Sequence, residues 1–412
     1  MFARAVLMAF VPLVVLSPLV HAGVADRWEE DLPPVPTARQ EVGVAELDGK
    51  IYVIGGILAN RSATGIVERF NVAEGEWEPV PPLLDGVRLH HVGAAAAQGK
   101  IYSVGGLLDS FAGVQGVFAF DPVAGEWDQV AFLPWPRGAM GVAELDGKIY
   151  ATGGQSGSTS FDDFAVYDPA ANRWDELPDM PSARNHLAAA AYDGRFYAVG
   201  GRAGSQLLGT LEVYEPQSRE WDFLPDMPTP RAGIAASVLG DQIYVFGGER
   251  SGAVFPETES YDLRRGRWWS RLDMANPRHG IGAVAVDDRI FLPGGSFVAG
   301  FGVTDVHDAF VPGTPPAERG QFLRGDADTD GEINVTDGIF TLAFLFQGGR
   351  ASECGDAVDV NDSGDHDLSD ALFLFLWLFQ GGSIPPPPGS RDCGLDATNN
   401  DPLDCAFYGS CE

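Results

Sequence analysis

Residues 185–201 read Asn-His-Leu-Ala-Ala-Ala-Ala-Tyr-Asp-Gly-Arg-Phe-Tyr-Ala-Val-Gly-Gly, and Trp221 follows. The small apolar run up to Tyr192 predicts a first strand. Asp193-Gly194 predicts a tight hairpin turn, because both residues tolerate positive φ. Phe196 to Val199 predicts a second strand that runs into the Gly200-Gly201 doublet. Thr210 to Tyr214 alternates as a half-buried strand does, and Glu220 to Leu224 carries Trp221 as a fourth.

The same landmarks recur along the chain. Doublets stand at Gly55-Gly56, Gly105-Gly106, Gly153-Gly154, Gly200-Gly201, Gly247-Gly248 and Gly294-Gly295, spaced 50, 48, 47, 47 and 47 residues apart. Trp28, Trp77, Trp127, Trp174, Trp221 and Trp268 each precede a doublet by 26 to 28 residues. Phe70, Phe120, Tyr167, Tyr214 and Tyr261 each lie seven residues before a tryptophan. Such a period marks a repeat architecture. One four-stranded sheet cannot bury both faces, so the units stack around an axis as blades.

These residues resemble the Kelch repeat: a hydrophobic strand, Gly-Gly, a Tyr-Asp pair and a spaced Trp. Tyr167-Asp168 with Trp174, and Tyr261-Asp262 with Trp268, carry the resemblance best. It implies an all-β, six-bladed β-propeller over residues 23–311. The last doublet is followed by His307-Asp308 and Phe310 but by no tryptophan, while Trp28 precedes the first unit. The segment Arg27 to Leu32 is therefore expected to supply the fourth strand of the final blade and remove free sheet edges.

Composition narrows the class. The 412 residues carry 27 Lys plus Arg against 58 Asp plus Glu, a net charge of −31. That charge argues against nucleic-acid binding, which needs a basic face. Arg4, the apolar run Ala5 to Val20 and Val20-His21-Ala22 predict a signal peptide over residues 1–22, cleaved after Ala22. The expected location is therefore extracellular, cell-surface or periplasmic. After cleavage no integral membrane segment is expected. All four cysteines, Cys354, Cys393, Cys405 and Cys411, lie in the C-terminal segment, and in an exported chain they suggest two disulfides. Three pairings are open, with Cys354–Cys393 and Cys405–Cys411 preferred.

A second repeat, of period 33, follows a linker at residues 312–321. Its copies place oxygen donors at loop positions 1, 3, 5, 9 and 12, with Gly at 6. The first copy uses Asp326, Asp328, Asp330, Asn334 and Asp337; the second uses Asp359, Asn361, Ser363, Asp367 and Asp370. Glu332 and Asp365, at position 7, would add backbone carbonyls. This spacing suits a hard cation with six to eight oxygen ligands. An apolar helix is expected after each loop, stopped by Gly. The pattern resembles a type I dockerin over residues 322–383, which implies two calcium ions and a cohesin-like partner. Two features depart from that family. Positions 10 and 11 are Val335-Thr336 and Leu368-Ser369, and the helices carry almost no charge. Their apolar remainder would pack the copies together or form a docking patch. Arg324-Gly325-Asp326 spells a cell-adhesion tripeptide, read here as coincidence because Asp326 is the first loop ligand. Residues 384–412 are expected to form a Pro-rich, Cys-containing tail.

On the propeller, Arg39, Arg88, Arg137, Arg184, Arg231 and Arg278 recur at 49, 49, 47, 47 and 47 residues. The Kelch resemblance places such arginines at the channel mouth, where they would bind an acidic ligand. A second set follows the doublets and includes Arg61, Phe111, Arg202, Glu249, Arg250 and Phe301. His90-His91, His186 and His279 follow the ring arginines and read either as metal or proton-shuttle groups or as solvated loop residues. The favoured function is an exported binding module for a protein or acidic carbohydrate, possessing a calcium-dependent docking tail and set in a polysaccharide-processing context. One alternative is an enzyme resembling sialic-acid epimerases, with Glu41 or Glu249 as base. Another is a structural cell-surface protein. The absence of any Cys before Cys354 excludes a Cys–Tyr cross-linked copper radical oxidase.

Overall fold

The computed structural model describes residues 25–84, 86–313, 322–349, 352 and 354–386. The expected signal peptide, Cys393, Cys405, Cys411 and most of the linker and tail lie outside the described residues. The chain divides into a compact unit over Asp26–Pro312 and a second unit that includes everything from Gly313 onward.

Asp26–Pro312 forms six four-stranded antiparallel sheets. In the fourth blade the strands are Ala188–Tyr192, Arg195–Val199, Leu211–Glu215 and Glu220–Leu224. The turn residues Asp193 and Gly194 have φ of 47° and 74°, as a two-residue hairpin requires. The first strand is shorter than expected. Asn185–Leu187 leaves the sheet, with His186 at φ 53°. Three blades also carry small outer hairpins that the sequence reading did not anticipate, beginning at Gln155, Arg202 and Glu249.

The landmarks hold neighbouring blades together. Trp77, Trp127, Trp174, Trp221 and Trp268 each pack on the aromatic seven residues before them, as Tyr214 and Trp221 do at 5.3 Å. Each indole N–H also donates to a carbonyl beyond the fourth strand of the preceding blade. Examples are Trp174 to Ala131 O (3.1 Å), Trp221 to Pro178 O (2.9 Å) and Trp268 to Pro225 O (2.7 Å). A buried indole thus gains apolar contact and a partner for its N–H at once. The second glycine of each doublet bonds the next blade, as Gly154 N–H does to Arg184 O at 2.9 Å. A Cβ on Gly153 would come within 2.7 Å of that same carbonyl, so no side chain fits.

Arg27–Glu29 pairs antiparallel with His307–Val311 and completes the sixth blade, as the sequence implied. Trp28 packs on Phe310 at 5.1 Å and donates to Asp273 O at 2.8 Å. The ring is therefore closed by a strand from the opposite end of the sequence.

The second unit contains helices α1 (Val335–Gln347), α2 (Gly355–Val358) and α3 (Leu368–Gln380). Gly348 and Gly381, at φ 66° and 68°, cap α1 and α3. Gly338 lets the two long helices approach, since a Cβ there would meet the Phe375 ring at 2.4 Å. Arg324 is buried and donates to Asp359 O at 2.7 Å, so it joins the two copies and is not a displayed adhesion residue. No helix among the described residues is long and apolar enough to cross a membrane.

His307 sits at the ring seam. Its Nδ1 lies 3.1 Å from Pro33 O, and its ring packs on Phe70 and Trp77. Burial pushes its pKa down from 6.5 to about 4. The unfolded chain therefore takes up a proton at a pH where the folded chain does not. The stability contribution is full above pH 6.5 and is lost as pH falls towards 4, by about 3 kcal/mol. His307→Gln is expected to flatten the fall in denaturant midpoint between pH 7 and pH 4, measured against wild type.

Candidate functional site

The arginine ring is not a binding surface. Arg39, Arg137, Arg184, Arg231 and Arg278 are buried, at 0–2 % exposure. Each guanidinium folds back onto its own blade. Arg278 donates to Gly294 O at 2.8 Å, to Leu292 O at 2.7 Å and to the Asp308 carboxylate. Arg184 pairs with Glu212 at 3.1 Å, and Arg137 with Asp163 at 2.8 Å. Arg39 and Arg231 pair with Glu68 and Glu259. The four acids Glu68, Glu212, Glu259 and Asp308 occupy the second position of the third strand of their blades. Burial lowers the pKa of Arg39, Arg184 and Arg231, opposed by the paired carboxylates.

Arg88 does not belong to the series. In five blades the arginine carbonyl accepts from a doublet glycine, but in the second blade Leu89 O accepts from Gly56 N–H. Leu89 is buried and Arg88 is exposed. The position of the paired acid is taken by Phe118. An apolar pair thus replaces the ion pair, and Arg88 is displaced by one residue to the surface.

Two residues beyond each structural arginine position, or its Leu89 counterpart, lies a second ring. Glu41, His91, Ala139, His186, Gly233 and Gly280 all have φ between 52° and 68°. Each N–H donates to the carbonyl of the preceding member, at 2.7–3.1 Å, and Glu41 N–H closes the circle on Gly280 O. Below this ring the channel opens into a cavity of about 560 Å³ lined mainly by Ala and Val. At the ring it narrows to about 80 Å³.

On the mouth side the ring carries a compact ionisable cluster. His91 Nε2 lies 3.0 Å from His186 Nε2 and 3.1 Å from Glu41 Oε2. His279 Nδ1 lies 3.5 Å from Glu41 Oε1 and 3.6 Å from Glu249 Oε2. Arg202 donates to Glu249 at 2.9 Å and contacts His186 Nε2 at 3.0 Å. The loop after the last doublet crosses over the cluster: Gly300 N–H donates to Glu249 Oε2 at 2.8 Å, and Gly300 O accepts from Gln40 at 2.8 Å. Phe111 and Phe301 meet edge to face above it, 6.4 Å apart, with Arg61 over Phe301 at 5.0 Å.

The histidines are therefore buried, not solvated. Burial pushes His91 down to about 4 and His186 well below its usual range, so both are neutral. Burial alone would raise Glu41, yet its carboxyl is held well below the usual range, and with His91 and His186 neutral the hydrogen bond from His279 is the contribution that remains. Burial alone would lower His279, yet Glu41 and Glu249 raise it. Neutral imidazoles and a carboxylate thus share one site with His279, whose pKa the two acids raise. The sequence offers Glu41 or Glu249 as a base and the histidines as metal or proton-shuttle groups, while the favoured ligand site there is the arginine ring. Comparison of the six ring positions separates Glu41, His91 and His186 from Ala139, Gly233 and Gly280.

In the second unit the two loops fold alike. Asp326 accepts from Asp330 and Gly331 N–H at 3.1 and 2.8 Å, and Asp359 accepts from Ser363 and Gly364 N–H at 2.9 and 2.7 Å. Asp337 accepts from Asp328 and Asn334 N–H, and Asp370 from Asn361 and Asp367 N–H. Asn334 and Asp367 cap α1 and α3. Carboxylate oxygens of Asp326, Asp328 and Asp330 lie within 4.8 Å of one another, close enough to hold one ion. Glu332 N–H donates to Asp330 at 2.8 Å, and Asp365 O accepts from Ser363 at 3.3 Å. Cys354, the one cysteine among the described residues, is buried at the start of α2.

The two arginine environments give a direct test. Arg184→Ala strands Glu212 in the interior and is expected to cost about 3–5 kcal/mol in denaturant unfolding. The double change Arg184→Leu with Glu212→Phe, which copies the second blade, is expected to recover most of that loss. Arg88→Ala is expected to stay within about 0.5 kcal/mol of wild type.

A family model described as the KLHDC2/KLHL20/DRC7 Kelch-repeats domain matches residues 178–295, and a Kelch-motif model matches residues 38–84 and 136–181. No curated protein matches the chain. A solved structure entitled "Structure of YjhT" superposes with a TM-score of 0.58 at 14% identity, covering 67% of this chain and 95% of that one. That likeness concerns the fold. Residues Asp26–Pro312 are therefore a six-bladed β-propeller built of Kelch repeats.

Proposed function

We propose that the protein is an exported recognition module whose propeller mouth binds an acidic carbohydrate, and whose C-terminal unit binds two calcium ions for display or assembly. The observation that carries the first part is the mouth itself. Arg61 and Arg202 approach a small polar cluster beneath Phe111 and Phe301. A guanidinium binds a carboxylate through paired hydrogen bonds. The exposed face of Phe301 suits a sugar ring. The buried arginines play no part. Probing a glycan array with the full chain is expected to return uronic or sialic sugars. Arg61→Ala with Phe301→Ala is expected to weaken that binding about tenfold or more, against Arg88→Ala as the unaffected control. Binding that survives the double change would defeat this reading.

A second reading, an enzyme acting on acidic sugars, draws on the opposite pKa shifts of Glu41, lowered, and His279, raised. It requires turnover of the bound sugar, with a pH optimum lost in Glu41→Gln.

For the C-terminal unit, the support is the twofold repetition of the loop geometry. Burial, with Asp328 and Asp326 nearby, pushes Asp337 up to about 7, and burial beside Asp359 does the same to Asp370. A divalent cation supplies the charge these loops lack. Val335, Ile339 and Phe346 are exposed, as are Leu368, Leu372 and Phe379 one period later, and such a stripe suits a cohesin-like or surface partner. The cysteines Cys354, Cys393, Cys405 and Cys411 would brace this end as two disulfides. Calorimetric titration of the chelated chain is expected to give two calcium ions. Asp326→Ala should leave one, and Asp326→Ala with Asp359→Ala none. Calcium at 100 times its dissociation constant should stabilise the unit by about 2.7 kcal/mol per site.

A further inference from the structure

The cluster at the ring contains a contact that its own hydrogen bonds do not resolve. His90 Nε2 faces Leu108 O at 3.1 Å, so this nitrogen carries a proton. The 2.5 Å contact between His90 Nδ1 and His91 Nδ1 holds one proton, and with that proton on His91 its Nε2 faces His186 and Glu41 unprotonated, in a group of three ligand atoms that lie within 4.8 Å of one another. Asn185 Oδ1 accepts from Arg202 Nε at 3.3 Å, while Asn185 Nδ2 donates to Ser160 at 2.6 Å, which fixes the amide orientation. His186 Nδ1 therefore donates to Asn185 Oδ1 at 2.5 Å, and His186 Nε2 is also a lone pair. Two lone pairs thus face each other at 3.0 Å, with the Glu41 carboxylate 3.1 Å from one of them. Three acceptors that converge in this way call for a cation.

The distances fit a metal. Ligand atoms at about 2.0–2.1 Å from one tetrahedral ion stand about 3.3–3.4 Å apart, so the 3.0 and 3.1 Å separations here need to open by only a few tenths of an ångström. The backing is also that of ligands, because metal-bound histidines donate their second ring N–H to an oxygen or another acceptor. Backbone strain points the same way. Glu41, His91 and His186 sit in the left-handed region at φ 52–54°, where two other blades use glycine. Large polar side chains are kept at three positions that favour none.

We propose that Glu41, His91 and His186 bind one divalent transition-metal ion of the zinc class, the class that two imidazoles and a carboxylate select. The ion lies on the propeller axis with its open coordination positions towards the mouth. Arg202, the one donor seen on His186 Nε2, is 28 % exposed in its side chain and is held by Glu249, so it yields to the ion. The proposal is independent of which ligand the mouth takes, and its test uses the metal alone.

The full chain, freed of metal and then saturated with calcium to fill the oxygen-only loops, would be titrated with Co²⁺ and then with Zn²⁺. One Co²⁺ per chain, with visible absorption abolished by Zn²⁺, is the expected result. His91→Ala and His186→Ala each place alanine where the third blade already has Ala139, so the fold should survive, as a thermal melt would verify. Each should reduce affinity about 100-fold or more, and Asn185→Ala, which only holds a ligand, about 10–100-fold. Arg202→Gln should tighten binding. No saturable Co²⁺ or Zn²⁺ binding in the presence of calcium would overturn the proposal and leave a shared proton between the two histidines. Undiminished binding by a folded His91→Ala, His186→Ala double variant would overturn it as well.

Discussion

The propeller depends on a closed circle of six backbone hydrogen bonds. Each bond runs from one blade to the next, and each needs its donor residue at positive φ. A sheet edge has no such link. The circle fixes the angle between blades at the axis, where the first strands are too close for large side chains. A Cβ on Gly43 would meet the Val92 side chain at 2.7 Å, and one on Gly93 would meet Val142 at 2.3 Å. Small residues in the first strands and left-handed residues just before them are two results of one constraint. The six repeat tryptophans, from Trp28 to Trp268, apply the principle again at the periphery, with one inter-blade hydrogen bond per indole.

Between axis and periphery, the arginine–acid pairs hold each blade to its own entry segment. The second blade demonstrates that the ion pair is one solution among others. Leu89 and Phe118 fill the same space without charge, in keeping with the near-neutral exchange of buried ion pairs for apolar ones. Removal of one partner alone is a different matter, because a buried charge is left uncompensated. Recurrence of arginine in five blades therefore reflects internal geometry. It carries no information about a ligand.

This explains what was legible in the sequence. Doublets, tryptophans and turn pairs repeat because every blade meets the same neighbours, so the blade count and the Trp28 seam followed from spacing alone. Regularity was also what misled. Arg88 kept the arginine period closely enough to pass as a sixth member, although its neighbour Leu89 holds the structural position. Sites with chemistry are where the repeat breaks. Glu41, His91 and His186 stand at ring positions that are Ala or Gly elsewhere. Their convergence from three blades has no signature in any one of them. Arg202 and Glu249, in contrast, sit directly after doublets, where the sequence reading did place mouth residues. The C-terminal loop-and-helix units could be located in the sequence because the spacing of their oxygen-bearing residues lies within one local turn and occurs twice.

Closure and site are parts of one arrangement. Glu41 belongs to the first blade and His279 to the sixth, so they adjoin only where the ring shuts. Glu41 N–H donates to Gly280 O, Gly295 N–H donates to Arg39 O, and a Cβ on Gly280 would come within 2.9 Å of the Glu41 carboxylate. The glycine at that ring position makes room for the carboxylate of the neighbouring blade. Arg27–Glu29, paired on His307–Val311, holds the same two blades together at their outer edge. Loss of that strand would let the first and sixth blades part while blades two to five kept their own sheets. The contact between Glu41 and His279 would be lost at that stage, while His91 N–H still bonds Glu41 O. The mouth and the seam thus share one junction, held at the axis by the Glu41–Gly280 and Gly295–Arg39 bonds and at the outer edge by the strand Arg27–Glu29.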